Sequence, residues 1–461
     1  MESAALFWND VALEANKEEH TGPFPREAAG PTYSARVLAM AHAAMADAFA
    51  AAHLGNGGTP PFAPFFTAAA PAGAASPAAA LAGAAHTVLS AVHTRQRPFF
   101  DERLAAFQAV LAAAGVPVAE VENGLGFGRT VGDAILGQRA SDGSQDPTNS
   151  NSESPYEPGG LPGLHDADPL NPNQGFYGWR YGKVAPFVLR PHEMLEALPP
   201  PPPLLHEAAY VDDYVEVYGK GARAGGTRTA EETETGIFWA YDGVEKIGTP
   251  PRLYNQVIRA VGLADGLGAD DANDAKWAAL LAQANLALAD AGTVAWHAKY
   301  LYNVWRPVVG VRRHVALPDR PDADRDPAWE PLGAPASNQS NNGQDFTPPF
   351  PAYPSGHATF GAAAFTVLRE FRARQGAADP DVINIDFMSD EFKTGTTDAA
   401  GVARPEVTRN FTSIEEMITQ NLESRVFLGV HWRFDGVGGR ESGAKVGQRV
   451  AERAYVLTPA A

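Results

Sequence analysis

The sequence predicts an all-α protein built as two helix bundles with long Pro/Gly-rich loops, and three observations carry that expectation. Ala-rich stretches with apolar residues recurring every three or four positions fill the first third of the chain and return after residue 205. Alternating strand patterns are few. Polar, turn-forming tracts separate the periodic stretches, which is where chain reversals belong.

Taken in order, the N-terminal half offers helices over 33–53, 77–94, 101–114 and 117–138, each with a buried stripe. From 139 to 203 the texture turns polar, in ASDGSQDPTNSNSESPYEPGG and HDADPLNPNQG, and ends in five prolines at 199–203 that favour an extended polyproline segment. WRYGKVAPFVL within this tract is apolar enough to dock, so the tract reads as a surface excursion and not a free linker. The C-terminal half offers helices over 206–221, 227–246, 251–263, 274–290, 292–305, 356–374, 412–428 and 435–455. Ser413 followed by Glu416 has the form of a capping box. A polar, Pro-rich loop runs from 314 to 354. The expected organisation is two halves, 1–205 and 206–461, forming one compact unit with any functional site in the second.

Bulk properties narrow the function. With 36 basic and 54 acidic side chains, a net charge of −18 argues against a broad nucleic-acid surface or an anionic-membrane face. The absence of cysteine excludes disulfides and thiolate metal sites, and suits a protein working beside an oxidant. No basic-then-apolar leader opens the chain and no run of about 18 uninterrupted apolar residues occurs, so a cytoplasmic location is the default expectation. Three short motifs carry little. GLGFG at 124–128 follows no strand and reads as a helix or turn feature. Asp322, Asp324 and Asp326 open like a calcium loop but meet Pro327 and Gly333 where Gly and Glu are needed. Asn410-Phe411-Thr412 fits a glycosylation acceptor without a secretory context.

Three separated pieces share one chemistry. In the first, Lys299 and Arg306 are seven apart, near two helical turns, with Pro307 expected to end the helix and leave Arg306 at its tip. The second is Pro354-Ser355-Gly356-His357, a helix start with a serine cap, an open backbone N–H and a titratable ring. The third runs from Ser424-Arg425 to His431 and Asp435. On one straight helix Arg425 and His431 would diverge by about 120°. Gly429 is placed to end that helix, so His431 can turn back toward the same pocket, and Asp435 can cap the next helix or fix the tautomer of His431. Singly, each cation is ordinarily a solvated surface group and each His a satisfied core residue. Together they form an oxyanion cage. At an effective dielectric of about 20, a cation about 4 Å from the ligand contributes roughly 4 kcal/mol per unit charge before desolvation.

At these residues the sequence resembles the vanadium-dependent haloperoxidases, which share a site with a superfamily of acid and lipid phosphatases. The family pattern K-x6-R-P, then P-S-G-H, then S-R-x5-H-x3-D is present without gaps. FPAYPSGHATFG, FLGVHWRFD, FWAYDG at 238–243 and IGTPPRLYNQ at 247–256 resemble the chloroperoxidase branch, and weaker likeness runs through Phe7-Trp8-Asn9 and YSARVLAMAHAAMADAF. The excursion at 139–200 matches poorly. The resemblance implies two four-helix bundles and vanadate, vanadium(V), bonded to His431 as its single protein ligand. It implies Lys299, Arg306 and Arg425 around the vanadate oxygens, with Ser355 and the Gly356 N–H bonded to them. His357 would be the acid/base, Asp242 the carboxylate pairing with Arg425, and Phe350 and Trp296 the halide wall, with Phe350 hinting at chloride. The implied reaction oxidises chloride or bromide with hydrogen peroxide to hypohalous acid, through a peroxovanadate on His431, for transfer to a small organic acceptor. Phosphate would compete for the cage. The rival reading from the same residues is a phosphatase with His431 as nucleophile, His357 as leaving-group acid and Asp435 orienting His431. A non-enzymatic oxyanion store would leave His357 without a task.

Overall fold

The computed structural model of the chain describes residues 1–22, 25–67, 69–314, 325–339 and 343–458; Asp322 and Asp324 lie outside the described residues. The first half contains α1 (Ala4–Glu19), α2 (Pro31–Gly55), α3 (Pro77–Val92), α4 (Arg97–Ala113), α5 (Val118–Arg139) and the short α6 (Pro191–Glu196). The second contains α7 (Ala208–Lys220), α8 (Ala230–Phe238), α9 (Pro250–Ala264), α10 (Asp274–Tyr302), α11 (Pro307–Arg313) and α12 (Gly356–Arg374). It then runs through β1 (Val382–Met388), β2 (Thr408–Ser413), α13 (Ile414–Phe427) and α14 (Arg433–Arg453).

Helix α10 is the spine. Its face is apolar almost all round, which only a surrounded helix can satisfy. It packs on α2 to one side and on α12 and α14 to the other; α2 continues to α3 and α5, and α13 closes against α12 and α14. Helices α2 and α10 are long and apolar enough to cross a bilayer, yet 89% and 100% of their most apolar windows are buried inside the protein.

Small residues set the tightest helix pairs. Gly124, Gly128 and Gly132 on α5 lie against Ser76, Ala80 and Ala84 around α3, and a Cβ on any of them would collide with that helix. Gly439, Gly443 and Gly447 on α14 do the same against Ser355, Thr359 and Ala363 around α12. The GLGFG run is thus part of a helix contact. Serine caps fix both partners: Ser76 Oγ accepts from Ala79 N, and Ser355 Oγ from Ala358 N.

Several expectations are corrected. The helix over 227–246 stops at Phe238, because FWAYDG turns through Tyr241 with φ of 45°. The two helices 274–290 and 292–305 are the single α10, Gly292 being tolerated in its interior against Phe360. Pro307 does not end the Lys299 helix: α10 ends at Tyr302 with Asn303 left-handed, and Pro307 opens α11 with Arg306 as its N-cap. The capping box is half-formed, since Glu416 accepts from Thr412 N and not from Ser413. A two-stranded antiparallel sheet of β1 and β2 went unread, although VINIDF alternates; Ile383 and Ile385 are buried, and Ile385 pairs with Phe411. The excursion does dock: Asp290 of α10 accepts the N–H groups of Phe187, Val188 and Leu189.

Candidate active site

The three pieces converge. His431 sits just past α13, after Gly429 with φ of 69°, and before α14. Its Nδ1 is 2.8 Å from Asp435 Oδ2, which also accepts from Trp432 N at 2.9 Å. Its Nε2 is 2.9 Å from Arg306 Nη1. A guanidinium can only donate, so Nε2 accepts and the ring proton lies on Nδ1, facing Asp435. Burial, then Arg306 and Lys299, hold the His431 pKa well below its ordinary value, so the ring is neutral with a lone pair on Nε2. Burial pushes the Asp435 carboxyl above its usual range, against the pull of Lys299 and Arg306.

Arg306 donates through Nε to Phe350 O at 2.8 Å and through Nη1 to Val430 O at 2.8 Å. Arg425 is held flat by Asp242, with bonds of 3.0 and 2.8 Å from its two terminal nitrogens. Its Nε is buried without a partner. His357 donates Nε2–H to Ala240 O at 2.5 Å and stands 3.8 Å from Asp242. Burial and then Arg425 lower its pKa to about 3, leaving it neutral with Nδ1 as its basic atom.

Lys299 differs from expectation. Its ammonium donates to the carbonyls of Pro351, Ala352 and Pro354 at 2.9, 3.1 and 2.6 Å. Burial and Arg306 pull its pKa well down, yet three acceptors around one nitrogen match the three N–H groups of the charged form. Lys299 therefore ties α10 to the loop that delivers Ser355 and His357. Phe350 lies over both Lys299 and Arg306, its ring centre 5.0 and 4.9 Å from them, and is 4.9 Å from the Trp296 ring.

A cavity of about 920 Å³ opens onto Gly356, His357, Arg425, His431, Trp296 and Phe350. Lys299, Arg306, Ser355 and Asp435 are buried next to these lining residues. The cavity extends to Tyr33, Arg36, Tyr177 and residues 144–147 and 149–152, so the excursion forms part of its wall. That arm went unread in the sequence, because its residues carry no shared motif. The backbone carbonyls that seat Lys299, Arg306 and His357 were equally silent.

The donor set fits a compact oxyanion. Arg425 Nε lacks a partner. The first turn of α12 leaves the Gly356 and His357 N–H groups without intrahelical acceptors. The Ser355 hydroxyl keeps its proton to give. Three cations face two carboxylates, Asp242 and Asp435, so the nest carries a positive excess that an anion would balance.

Fold and nest together define a mostly helical protein with a buried, cation-rich nest gathered beside one neutral imidazole. Residues 2–174 match the vanadium chloroperoxidase N-terminal domain and residues 279–458 the second helical-bundle domain of the same family. The chain is 34% identical over 495 residues to the vanadium chloroperoxidase of Curvularia inaequalis, covering 95% of this chain and 79% of that protein. Its fold is similar to that of a bacterial vanadium-dependent iodoperoxidase, with a TM-score of 0.69 and 21% identity over 96% of this chain and 95% of the other. It is also similar to the holo form of a bacterial vanadium-dependent chloroperoxidase, with a TM-score of 0.63 and 15% identity over 94% of each. The chain belongs to the vanadium-dependent haloperoxidases, in the vanadium chloroperoxidase family. Vanadate is its cofactor, and hydrogen peroxide and a halide are its substrates. Nothing in the comparisons favours the phosphatase reading.

Proposed function

We propose that the enzyme is of the chloride-oxidising type and that His431 Nε2 is the single protein bond to vanadium. The observation carrying this reading is the Asp435–His431–Arg306 line, which presents a neutral Nε2 lone pair beside a guanidinium nitrogen at 2.9 Å. In this reading Arg306 and Arg425 face the vanadate oxygens, with the Gly356 N–H and the Ser355 hydroxyl. Lys299 contributes its charge from behind Phe350 and fastens the loop. Bound vanadate supplies Lewis acidity toward peroxide without a change of oxidation state.

The chain's own residues do the rest. Asp435 holds the proton on Nδ1, which keeps Nε2 free to bond. Asp242 fixes the plane of Arg425. His357, neutral until an anion raises its pKa, takes a proton from incoming peroxide at Nδ1 and returns it to a departing oxygen. Phe350 and Trp296 present an apolar wall that strips water from the halide and leaves it more nucleophilic. The cavity beyond them has the size of a small-molecule pocket and leaves room for a small organic acceptor of the oxidised halogen.

The test is reconstitution with orthovanadate, then peroxide with chloride, bromide or iodide in parallel, following halogenation of a phenolic dye. Turnover of chloride, suppressed by added phosphate, is the expected result. Turnover of iodide alone would overturn the chloride assignment.

A further inference from the structure

Against Arg306, and sharing Pro348 and Pro349 with the wall of the main cavity, lies a second, much smaller one. About 10 Å³ of it is open to the centre of a water, room for a single molecule. His165 of the excursion, Arg306 and Thr347 of the 314–354 loop all line it. Both ring nitrogens of His165, Nη2 of Arg306 and Oγ1 of Thr347 are buried without a hydrogen-bond partner. All three residues are 2% exposed or less. Four unpartnered polar atoms around one small space are costly unless something joins them.

The other polar groups on this wall are already engaged. Asp166 pairs with Arg313, Asp168 accepts from Leu170 N and Asn171, and Gln174 donates to Thr347 O. His165 is closely surrounded. Its backbone N–H is tied to Asn303 O at 2.8 Å, and the rings of Tyr156 and Phe176 flank it at 6.0 and 5.6 Å. Burial, then Arg306 and Lys299, keep the imidazole neutral, so it offers one donor and one acceptor.

We infer that His165, with Thr347, holds the rear of Arg306 through one buried water, making His165 a positioning residue for the oxyanion nest. A water can accept from Arg306 Nη2 while donating to the His165 lone pair and the Thr347 hydroxyl, which joins three of the unpartnered residues at once. A halide would be wider than the space and would lie beside Asp166 and Asp168. With Nη2 anchored and Nε and Nη1 bound to Phe350 O and Val430 O, the guanidinium cannot rotate, and Nη1 stays aimed at His431 Nε2. The polar excursion and the 314–354 loop thus each help to hold Arg306.

This inference rests on the reading of Arg306 as an anion contact, and the test separates the two. Phosphate affinity is measured calorimetrically on the vanadate-free protein for wild type and for Arg306→Gln, His165→Phe and His165→Gln, with melting temperatures alongside. Phe fills the space and removes both nitrogens; Gln keeps a donor and an acceptor. The expected result is a loss of about 10-fold or more in His165→Phe, recovery to within about 3-fold of wild type in His165→Gln, and similar melting temperatures for the two. Unchanged affinity in His165→Phe, with affinity lost in Arg306→Gln, would overturn the role of His165 alone. Unchanged affinity in Arg306→Gln would overturn the reading of Arg306 itself. A crystal structure with His165 and Arg306 Nη2 joined to no water would also refute the bridge.

Discussion

The α3–α5 pair of the first half and the α12–α14 pair of the second are built alike, and only one carries chemistry. Ser76 caps α3 as Ser355 caps α12. Ser76 N donates to Glu120 O at 2.9 Å, and Ser355 N donates to Asp435 O at 2.8 Å. Gly124, Gly128 and Gly132 meet Ala79, Ala84 and Thr87, as Gly439, Gly443 and Gly447 meet Ala358, Ala363 and Thr366. At the ligand end the two diverge. Pro77 replaces Gly356 and so removes the backbone N–H; Ala78 replaces His357. Val116 stands at the position of His431, and Glu120 at that of Asp435. Glycine-mediated packing is common to both pairs, whereas the groups that can meet an anion stand only at the α12–α14 end, where Lys299, Arg306 and Arg425 of other elements converge on it.

The largest expected break in the parallel is His431→Ala, which should lower vanadate affinity by at least ~100-fold, while Val116→Ala leaves it unchanged. Equilibrium dialysis with metal analysis measures both. Vanadate retained by the His431 variant would dismiss the single-ligand reading. Next, Asp435→Asn should cost about 10- to 100-fold in vanadate affinity by freeing the tautomer of His431, and Glu120→Gln nothing measurable. Equal effects of the two changes would mean that Asp435 acts only in packing.

Smaller, and sharper as a comparison, is the pair Gly128→Ala and Gly443→Ala. Each added methyl meets the facing helix backbone, so each should cost about 1–3 kcal/mol in denaturant unfolding. Phosphate affinity should fall only in the Gly443 variant, because only α12 carries the Gly356 and His357 end. A loss of affinity in both would show the two bundles coupled through α10.

Much of the site was legible because charged residues and their spacing survive as letters. Arg306, Ser355, Gly356, His357, Arg425, His431 and Asp435 come together as their motifs imply and Asp242 meets Arg425, while Lys299 arrives in the same region with its ammonium bound to main-chain carbonyls. The entry of Arg306 was misread, since proline both ends and opens helices and only the tertiary path decides which. The main-chain acceptors around Lys299 and Arg306 have no sequence signature at all. The internal parallel was legible but unread: Ser76…Ala79…Ala84-Ala85…Thr87-Val88-Leu89 is echoed by Ser355…Ala358…Ala363-Ala364…Thr366-Val367-Leu368. Loops of unequal length between the paired helices hide it from a scan for fixed periods.

The smallest effect concerns a proton. In the nest His357 is neutral, its pKa lowered to about 3 by burial and then by Arg425. The counterpart helix start has Ala78 and nothing to titrate. An anion in the nest offsets the field of Arg425 and Arg306 and raises the His357 pKa. A group whose pKa rises on binding takes up a proton, so affinity should strengthen as pH falls through the raised value. Calorimetry of phosphate binding at pH 6, in buffers of differing ionisation enthalpy, should therefore show a fraction of a proton taken up. Phosphate's own ionisation contributes equally to wild type and to His357→Ala, so the difference between them isolates the imidazole. The same uptake in both proteins would mean that His357 does not sense the anion, and would remove it from the proton-transfer role.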